Sequence, residues 1–362
     1  MRLVVLGLSL SSSWGNGHAT TWRALLRACA ARGHDILFLE RDVSWYAAHR
    51  DLARPDFCRL AFYGDLAELA AWRNEIAEAD AVIVGSFVPE GAAVGALVQR
   101  LAGGSVAFYD IDTPVTLARL ARGEHDYLSP AVMRGYDLYL SFTGGPTLEA
   151  LERRHGVKRA RVLYCSVDPE AYAPRAVPLQ WDLSYLGTWS ADRQPTLERL
   201  LLEPARRAPG LRFVVAGAQY PGDIAWPSNV TRIDHVPPAE HAAFYAASRF
   251  TLNITREDMR EAGWSPSVRL FEAACCGTPV ISDTWPGLAD LLEPGEQILL
   301  AEHGAEVLSA LRGMSDPQRR AMARAARSRV LSAHTAAHRA AELDAYLTDA
   351  SDVIHRKEKM PL

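Results

Sequence analysis

Gly263-Trp264-Ser265-Pro266-Ser267-Val268-Arg269-Leu270-Phe271-Glu272-Ala273-Ala274-Cys275-Cys276-Gly277-Thr278-Pro279-Val280-Ile281 is the stretch whose reading decides the architecture. A Gly/Ser/Pro loop feeds a short helix, Gly277 breaks that helix, and a β-branched run re-enters a sheet. Arg269 and Glu272 stand three residues apart on the helix and so share a face. If the helix starts near Ser267, its first turn presents free backbone N–H groups and a positive dipole end. Arg269 can add a fork of donors for a diphosphate, and Glu272, a turn deeper, can accept two hydroxyls of a ribose. An ordinary i,i+3 ion pair is the competing reading. The run predicts an α/β protein that holds a polar small molecule, with an enzyme as the first hypothesis.

Outward from this run, alternating strands and helices fill the chain. Residues 3–8 read as a buried parallel strand because the apolar run is continuous. A polar loop over 9–20, a helix ending at Gly33 and a strand at 36–39 follow. Further strands are expected at 81–84, 106–109, 138–141 and 161–164. Pro169, Pro174 and Pro178 punctuate a polar segment, which places a linker at 168–178. A second α/β series has strands at 183–186, 212–216, 250–254 and 280–282. Residues 317–346 read as one or two helices, divided near Ser332. The organisation is thus an N-terminal Rossmann-like domain (1–167), the linker, a C-terminal Rossmann-like domain (179–330) and a final helix (331–350). Each sheet's C-terminal edge is expected to open toward a cleft between the two, where open α/β sheets bind ligands.

Composition narrows the function classes. The 362 residues suffice for two domains of about 150–200 residues. A net charge of −4 gives no electrostatic argument for nucleic acid. No 18-residue apolar run exists, so no membrane span is expected, and the first ten residues read as a strand rather than an export signal. The five cysteines form no CxxC pair and are odd in number, which points to a reducing, cytoplasmic compartment. Oligomeric state is left open.

Other constellations fall at predicted strand ends. Gly187-Thr188-Trp189-Ser190-Ala191-Asp192-Arg193 joins a strand to a helix. There Gly187 would let backbone approach a ligand and Arg193 neutralise phosphate, or Asp192 would merely cap the helix. Gly217 opens the next loop. Gly15-Asn16-Gly17-His18 forms a tight loop carrying a histidine, either an acid–base group or one satisfying loop carbonyls. Asp110 and Asp112, spaced i,i+2 before Pro114, would share a face if the strand persisted. One of them is a candidate base, and helix capping is the alternative. Asn253 and Arg256 end a strand as sugar or phosphate contacts. Trp189, Trp264 and Trp285 fall on loops. No HExxH or GxSxG occurs, so neither zinc nor a serine triad is indicated.

On the residues 15–18, 32–40, 110–114 and 187–277, and above all the run Ser265–Gly277 followed by Asp283, the chain resembles a known family. These are the bacterial CgeB-like (spore maturation protein type) glycosyltransferases, of GT-B fold and related to glycosyltransferase family 4, group 1. The resemblance implies two Rossmann-like domains and a nucleoside-diphosphate sugar as donor substrate, held mainly by the C-terminal domain. It also implies an acceptor held mainly by the N-terminal domain, and a final helix that crosses back to the first domain. Many retaining relatives carry two glutamates flanking seven residues here. Glu272 matches the second, and the first falls on Trp264. The expected reaction is sugar transfer to an acceptor hydroxyl. Arg193 and Arg269 would stabilise the leaving diphosphate without an obligatory metal or tightly bound cofactor. Gly187, Gly217, Asn253, Arg256, Ser265, Ser267 and Glu272 would bind the donor. Gly15, Asn16, Gly17, His18, Asp110 and Asp112 would lie on the acceptor side, with His18 and Asp110 as proton-transfer candidates. A sugar-nucleotide epimerase and a non-catalytic nucleotide-sugar binding protein are the alternatives.

Overall fold

A computed structural model of the protein describes residues 1–358. The first compact unit takes residues 1–165 together with the chain from Ala336 onward, and the second spans Ser166–Thr335.

Seven parallel strands build the first sheet: β1 (Arg2–Gly7), β2 (Asp35–Arg41), β3 (Arg59–Tyr63), β4 (Ala81–Gly85), β5 (Ser105–Asp110), β6 (Leu138–Ser141) and β7 (Ala160–Val162). Their order is β3-β2-β1-β4-β5-β6-β7. Register pairs Leu3 with Ile36 on one side of β1 and with Ala81 on the other. Both faces of β1, β4 and β5 are covered, which is why these segments read as continuous apolar runs. Trp22, on the helix Gly17–Ala31, packs edge-on against Phe38 and Tyr109. The helix Ala336–Glu358 packs on that same first helix.

The second sheet has six parallel strands: β8 (Trp181–Leu186), β9 (Phe213–Ala216), β10 (Val230–Ile233), β11 (Ser248–Asn253), β12 (Val280–Ser282) and β13 (Leu299–Leu300). They run in the order β10-β9-β8-β11-β12-β13. Two parallel sheets, each flanked by helices, make a GT-B-like architecture of two Rossmann-like units.

Three strands escaped the sequence reading, β3, β10 and β13, and all three are sheet edges. Edge strands are covered on fewer sides, and none of these three is buried along its whole length. The long C-terminal helical stretch divides at His334 and Thr335, between Asp316–Ala333 and Ala336–Glu358, a little beyond the expected Ser332. All five cysteines are free, and among the described residues no helix is long and apolar enough to cross a membrane.

Candidate functional site

The strand orders carry the first functional information. Sequence order reverses direction at β1/β4 and again at β8/β11, and ligands of open α/β sheets bind outside the carboxyl ends of strands at such points. In the second unit the loops concerned are those after β8 and β11. They hold Gly187 and Arg193, and Thr255 and Arg256.

Ser267 is the N-cap of the helix Val268–Cys275, as the sequence suggested, but its side chain makes no cap bond. Its hydroxyl donates instead to Asn253 Oδ1 at 2.7 Å. Arg269 donates from Nη1 to the same oxygen at 2.8 Å and from Nε to the Leu186 carbonyl at 2.7 Å. Its guanidinium carbon lies 4.9 Å from the Tyr185 ring centroid. These bonds use Nε and Nη1 and leave Nη2 without a hydrogen bond. Asn253 Nδ2 in turn donates to Thr255 Oγ1 at 3.3 Å and Ser282 Oγ at 2.9 Å. Asn253 is therefore fully buried and committed to four protein partners. It organises Arg269 instead of making the ligand contact expected of it.

Arg269 and Glu272 do not form the ion pair that was the competing reading. Glu272 is buried and accepts from Tyr245 Oη at 3.2 Å. Ser265 is also buried.

Gly187 and Gly217 have a structural reason to be glycine. A Cβ on Gly217 would sit 2.0 Å from the Gly187 carbonyl oxygen, and Gly217 has φ +145°. A Cβ on Gly187 would meet Tyr185 Oη at 2.8 Å and Arg269 Nη2 at 2.9 Å. The ends of β8 and β9 thus touch backbone to backbone beneath Arg269.

Arg193 folds onto its own loop, donating from Nε to Ser190 Oγ at 2.8 Å and from Nη2 to the Thr188 carbonyl at 2.7 Å. It lines a shallow recess with Tyr185, Thr188, Trp189, Ser190, Gln194, Leu197 and Tyr220. Asp192 does cap a helix, but a different one. Its Oδ2 accepts from the Glu257 N–H at 3.2 Å, at the start of Glu257–Ala262, and lies 3.8 Å from Arg256 Nε. Burial works to raise the Asp192 carboxyl, yet bonds from Ser190 and Glu257 and the charges of Arg256 and Arg193 hold it below the ordinary range. Arg256 is thereby tied to the β8 loop. Asp283 fixes the β11 loop by accepting from Thr255 N at 3.0 Å and Oγ1 at 2.9 Å.

At the β1/β4 reversal His18 is not on a loop. It is the second residue of the helix Gly17–Ala31, and Asn16 is the N-cap, accepting from the His18 N–H at 2.9 Å. Gly15 has φ +58°, and Gly17 has open space around its Cβ position. His18 Nε2 lies 3.2 Å from Asp112 Oδ2, its ring meets Phe87 edge-on, and buried Nδ1 has no partner. Asp112 and Asp110 do not share a face. β5 ends at Asp110, and the chain turns into the helix Thr113–Ala121. Asp110 is enclosed by Tyr139 Oη at 2.5 Å and Thr116 Oγ1 at 2.8 Å, a scaffold position rather than an open one. Burial pushes its carboxyl up to about 6 against those bonds, with Asp112 adding to the rise. The carboxylate beside His18 is Asp112.

Tyr172, Tyr185, Tyr220 and Tyr245 belong to no motif that marks them in the sequence. Glu40 was missed too. Fully buried, it accepts from the Leu10 and Ser11 N–H groups at 2.7 and 2.9 Å and so fixes the β1 loop. Among the described residues no group of three or more His, Cys, Asp or Glu is placed to hold a metal ion.

Residues 193–345, rather less than half of the chain, match a family model described as glycosyl transferase-like. No curated protein matches the chain significantly. Solved structures resemble it over nearly its whole length. Sucrose-phosphate synthase from Thermosynechococcus elongatus aligns with TM-score 0.68 and 18% identity, covering 97% of this chain and 100% of that one. Anabaena HepE in complex with UDP and glucose gives TM-score 0.70 and 13% identity over 96% of this chain and 100% of its own. An alpha-glucosyltransferase in complex with UDP gives 0.72 and 11%, over 96% and 100%. At these identities the likeness is one of fold.

Proposed function

We propose that the protein is a glycosyltransferase that moves a sugar from a nucleoside-diphosphate sugar to an acceptor hydroxyl. The observation that carries this reading is Arg269. A buried guanidinium is braced by Asn253 and Leu186 at the β8/β11 reversal, and its Nη2 is unspent. A diphosphate leaving group gains negative charge in the transition state, and a pre-positioned cation beside a helix N-terminus stabilises it without rearranging. Arg193, Arg256, Gly187, Gly217, Ser265 and Ser267 surround the same strand ends, and Glu272 is assigned to the ribose. The matched glycosyl transferase-like model and the UDP complexes of similar fold support the class. The finer assignment, a CgeB-like cytoplasmic bacterial enzyme working without an obligatory metal, rests on the run 265–277 and on cations doing the work of charge neutralisation.

On the acceptor side His18 is the proton acceptor and Asp112 orients it. A histidine held by a carboxylate through one ring nitrogen presents the other as a base. Asp110, being enclosed, supports the strand end. Incubation with a panel of nucleotide sugars and hydroxyl acceptors, read by mass, tests the reading: transfer supports it, and isomerisation of the donor or no turnover rejects it.

One observation favours a second reading, a nucleotide-sugar binding protein without turnover. Trp264 stands where retaining relatives carry an acid. It has φ +44°, and its indole N–H donates to Asp290 at 2.8 Å. Tight binding of donor without any turnover distinguishes that case.

A further inference from the structure

The loops after β1 and β2 leave the same edge of the first sheet, because the two strands are parallel neighbours. Together they carry three aromatic rings. The Trp14 indole stacks on the His49 imidazole, with centroids 4.7 Å apart and 12° between the planes. The Trp45 indole stands 5.7 Å from the same imidazole, tilted by 46°. These rings are not core. The short helix Ser44–Ala47, which bears Trp45, has no buried residue. Trp45 itself is 52% exposed, His49 is exposed and Trp14 is half-buried. Single apolar side chains scattered over a surface are ordinary, but a contiguous group at a strand's carboxyl end calls for a ligand.

The rings stand on a braced base. Ser12 Oγ donates to the His49 carbonyl at 2.9 Å, and the Asp51 and Leu52 N–H groups each donate to the Ser11 carbonyl at 3.0 Å. Ser13 Oγ and Arg23 Nη2 both donate to the Asp51 carboxylate, at 2.7 and 2.6 Å. Rings fixed in this way need little ordering when a ligand arrives. His49 Nδ1 lies 2.9 Å from the Trp45 carbonyl, which can only accept, so Nδ1 carries a proton. In the neutral ring Nε2 is then an acceptor for a hydroxyl.

The chemistry of the ligand follows from what surrounds the rings. Indole faces favour apolar C–H surface, and the polar groups among them favour hydroxyls. The arginines bonded into the base are spent on carboxylates, Arg50 on Asp42 at 2.7 Å and Arg23 on Asp51 at 2.6 Å. A nucleic acid or an anionic membrane is met by uncommitted cations. An uncharged sugar ring, with C–H groups on its face and hydroxyls around its rim, matches both features. Trp14 also precedes His18 by only four residues, which span at most about 14 Å. A turn from the Asn16 N–H to the Ser13 carbonyl at 3.2 Å shortens that path.

We propose that Trp14, His49 and Trp45 form a saccharide-binding ledge for the acceptor, and that the acceptor is a glycan of several sugars, one of whose hydroxyls reaches His18. This deepens the acceptor side of the proposed transferase and rests on it. The ledge holds sugars that do not react, and His18 meets the one that does.

A glycan array probed with the full chain, followed by calorimetry of the strongest glycan and its component monosaccharides, tests the ledge. The glycan should bind more tightly than any of its monosaccharides. Trp45→Ala should bind it roughly tenfold more weakly, the scale of one aromatic contact, at an unchanged melting temperature because Trp45 is outside the core. A wild type that binds no glycan, or a Trp45→Ala variant that binds as well, overturns the proposal. Phosphatidylglycerol vesicles or a single-stranded oligonucleotide bound in place of glycan, and lost on Trp45→Ala, overturn the saccharide assignment. Mass-detected transfer separates the ledge from the reading beneath it. Transfer to small acceptors with no glycan bound at the ledge keeps the transferase and overturns the ledge. Glycan binding that depends on Trp45, with no transfer from any nucleotide sugar, supports the saccharide site and rejects the transferase.

Discussion

Asn253 Oδ1 accepts from Arg269 Nη1 at 2.8 Å, tying the last residue of β11 to the first turn of the helix Val268–Cys275. The bond fixes the direction of the candidate phosphate ligand before any ligand arrives. Because Asn253 is itself held by Ser282 and Thr255, the brace is continuous with the sheet. Preorganisation of this kind lets a cation stabilise developing charge. Arg269→Ala should therefore lose about 2–4 kcal/mol of transition-state stabilisation, or roughly 10²–10³ in rate, with its fold intact. Turnover close to wild type, measured with the donor that the panel identifies, removes Arg269 from the mechanism.

Gly217→Ala tests the close approach of β8 and β9. The new Cβ would lie 2.0 Å from the Gly187 carbonyl at a φ of +145°, so the strand end must shift. We expect a loss of about 2–4 kcal/mol, in the range of backbone strain combined with overpacking. A denaturant midpoint equal to wild type would show that the contact relaxes freely.

His18 and Asp112 should act as a pair. His18→Gln removes the base, and Asp112→Asn removes the carboxylate that orients it. General-base catalysis is worth about 10²–10⁴ in rate. Each single variant should fall within that range, and the double variant little further. Additive losses, measured as kcat/KM, would show that the two residues act separately.

Asp110 makes a pH prediction with a definite sign. Its carboxyl stands at about 6 in the folded protein against an ordinary 3.8, chiefly through burial. The folded state therefore holds the proton more tightly than the unfolded one, and this group's contribution to stability falls as pH rises from about 4 to about 6. At about 1.4 kcal/mol per pH unit the fall is about 3 kcal/mol. Urea unfolding of wild type and Asp110→Asn across this window should show the wild type losing stability relative to the variant. Parallel curves would count against the elevated carboxyl.

Cations and a helix N-terminus are proposed to neutralise the leaving diphosphate. Turnover should then survive excess EDTA followed by gel filtration. A complete loss restored by Mg²⁺ would assign the neutralisation to a metal.

Much of this was legible in the residues. Central strands such as β1, β4 and β5 announce themselves because covering both faces demands unbroken apolar runs. The helix after Ser267 is written in its Ser/Pro entry and its exit at Gly277. The edges β3, β10 and β13 left no such pattern: β3 and β10 each carry an arginine, as a strand paired on one side tolerates, and β13 is only two residues long. Asp110 and Asp112 looked alike in sequence and proved different in space. One closes the core under Tyr139, and the other meets His18, 94 residues away.

The sequence by itself determined the local chemistry: which central segments are strands, and where a cation and a carboxylate sit on one short helix. Strand order belonged to the tertiary structure. Placing β8 beside β11 brings the Leu186 carbonyl to Arg269, and packing the helix Pro238–Ala246 brings Tyr245 to Glu272. Local pattern records whether a residue is buried, because burial selects its type. It does not record which distant group it is buried against, and here that partner decides whether a polar side chain is a ligand, a brace or a cover.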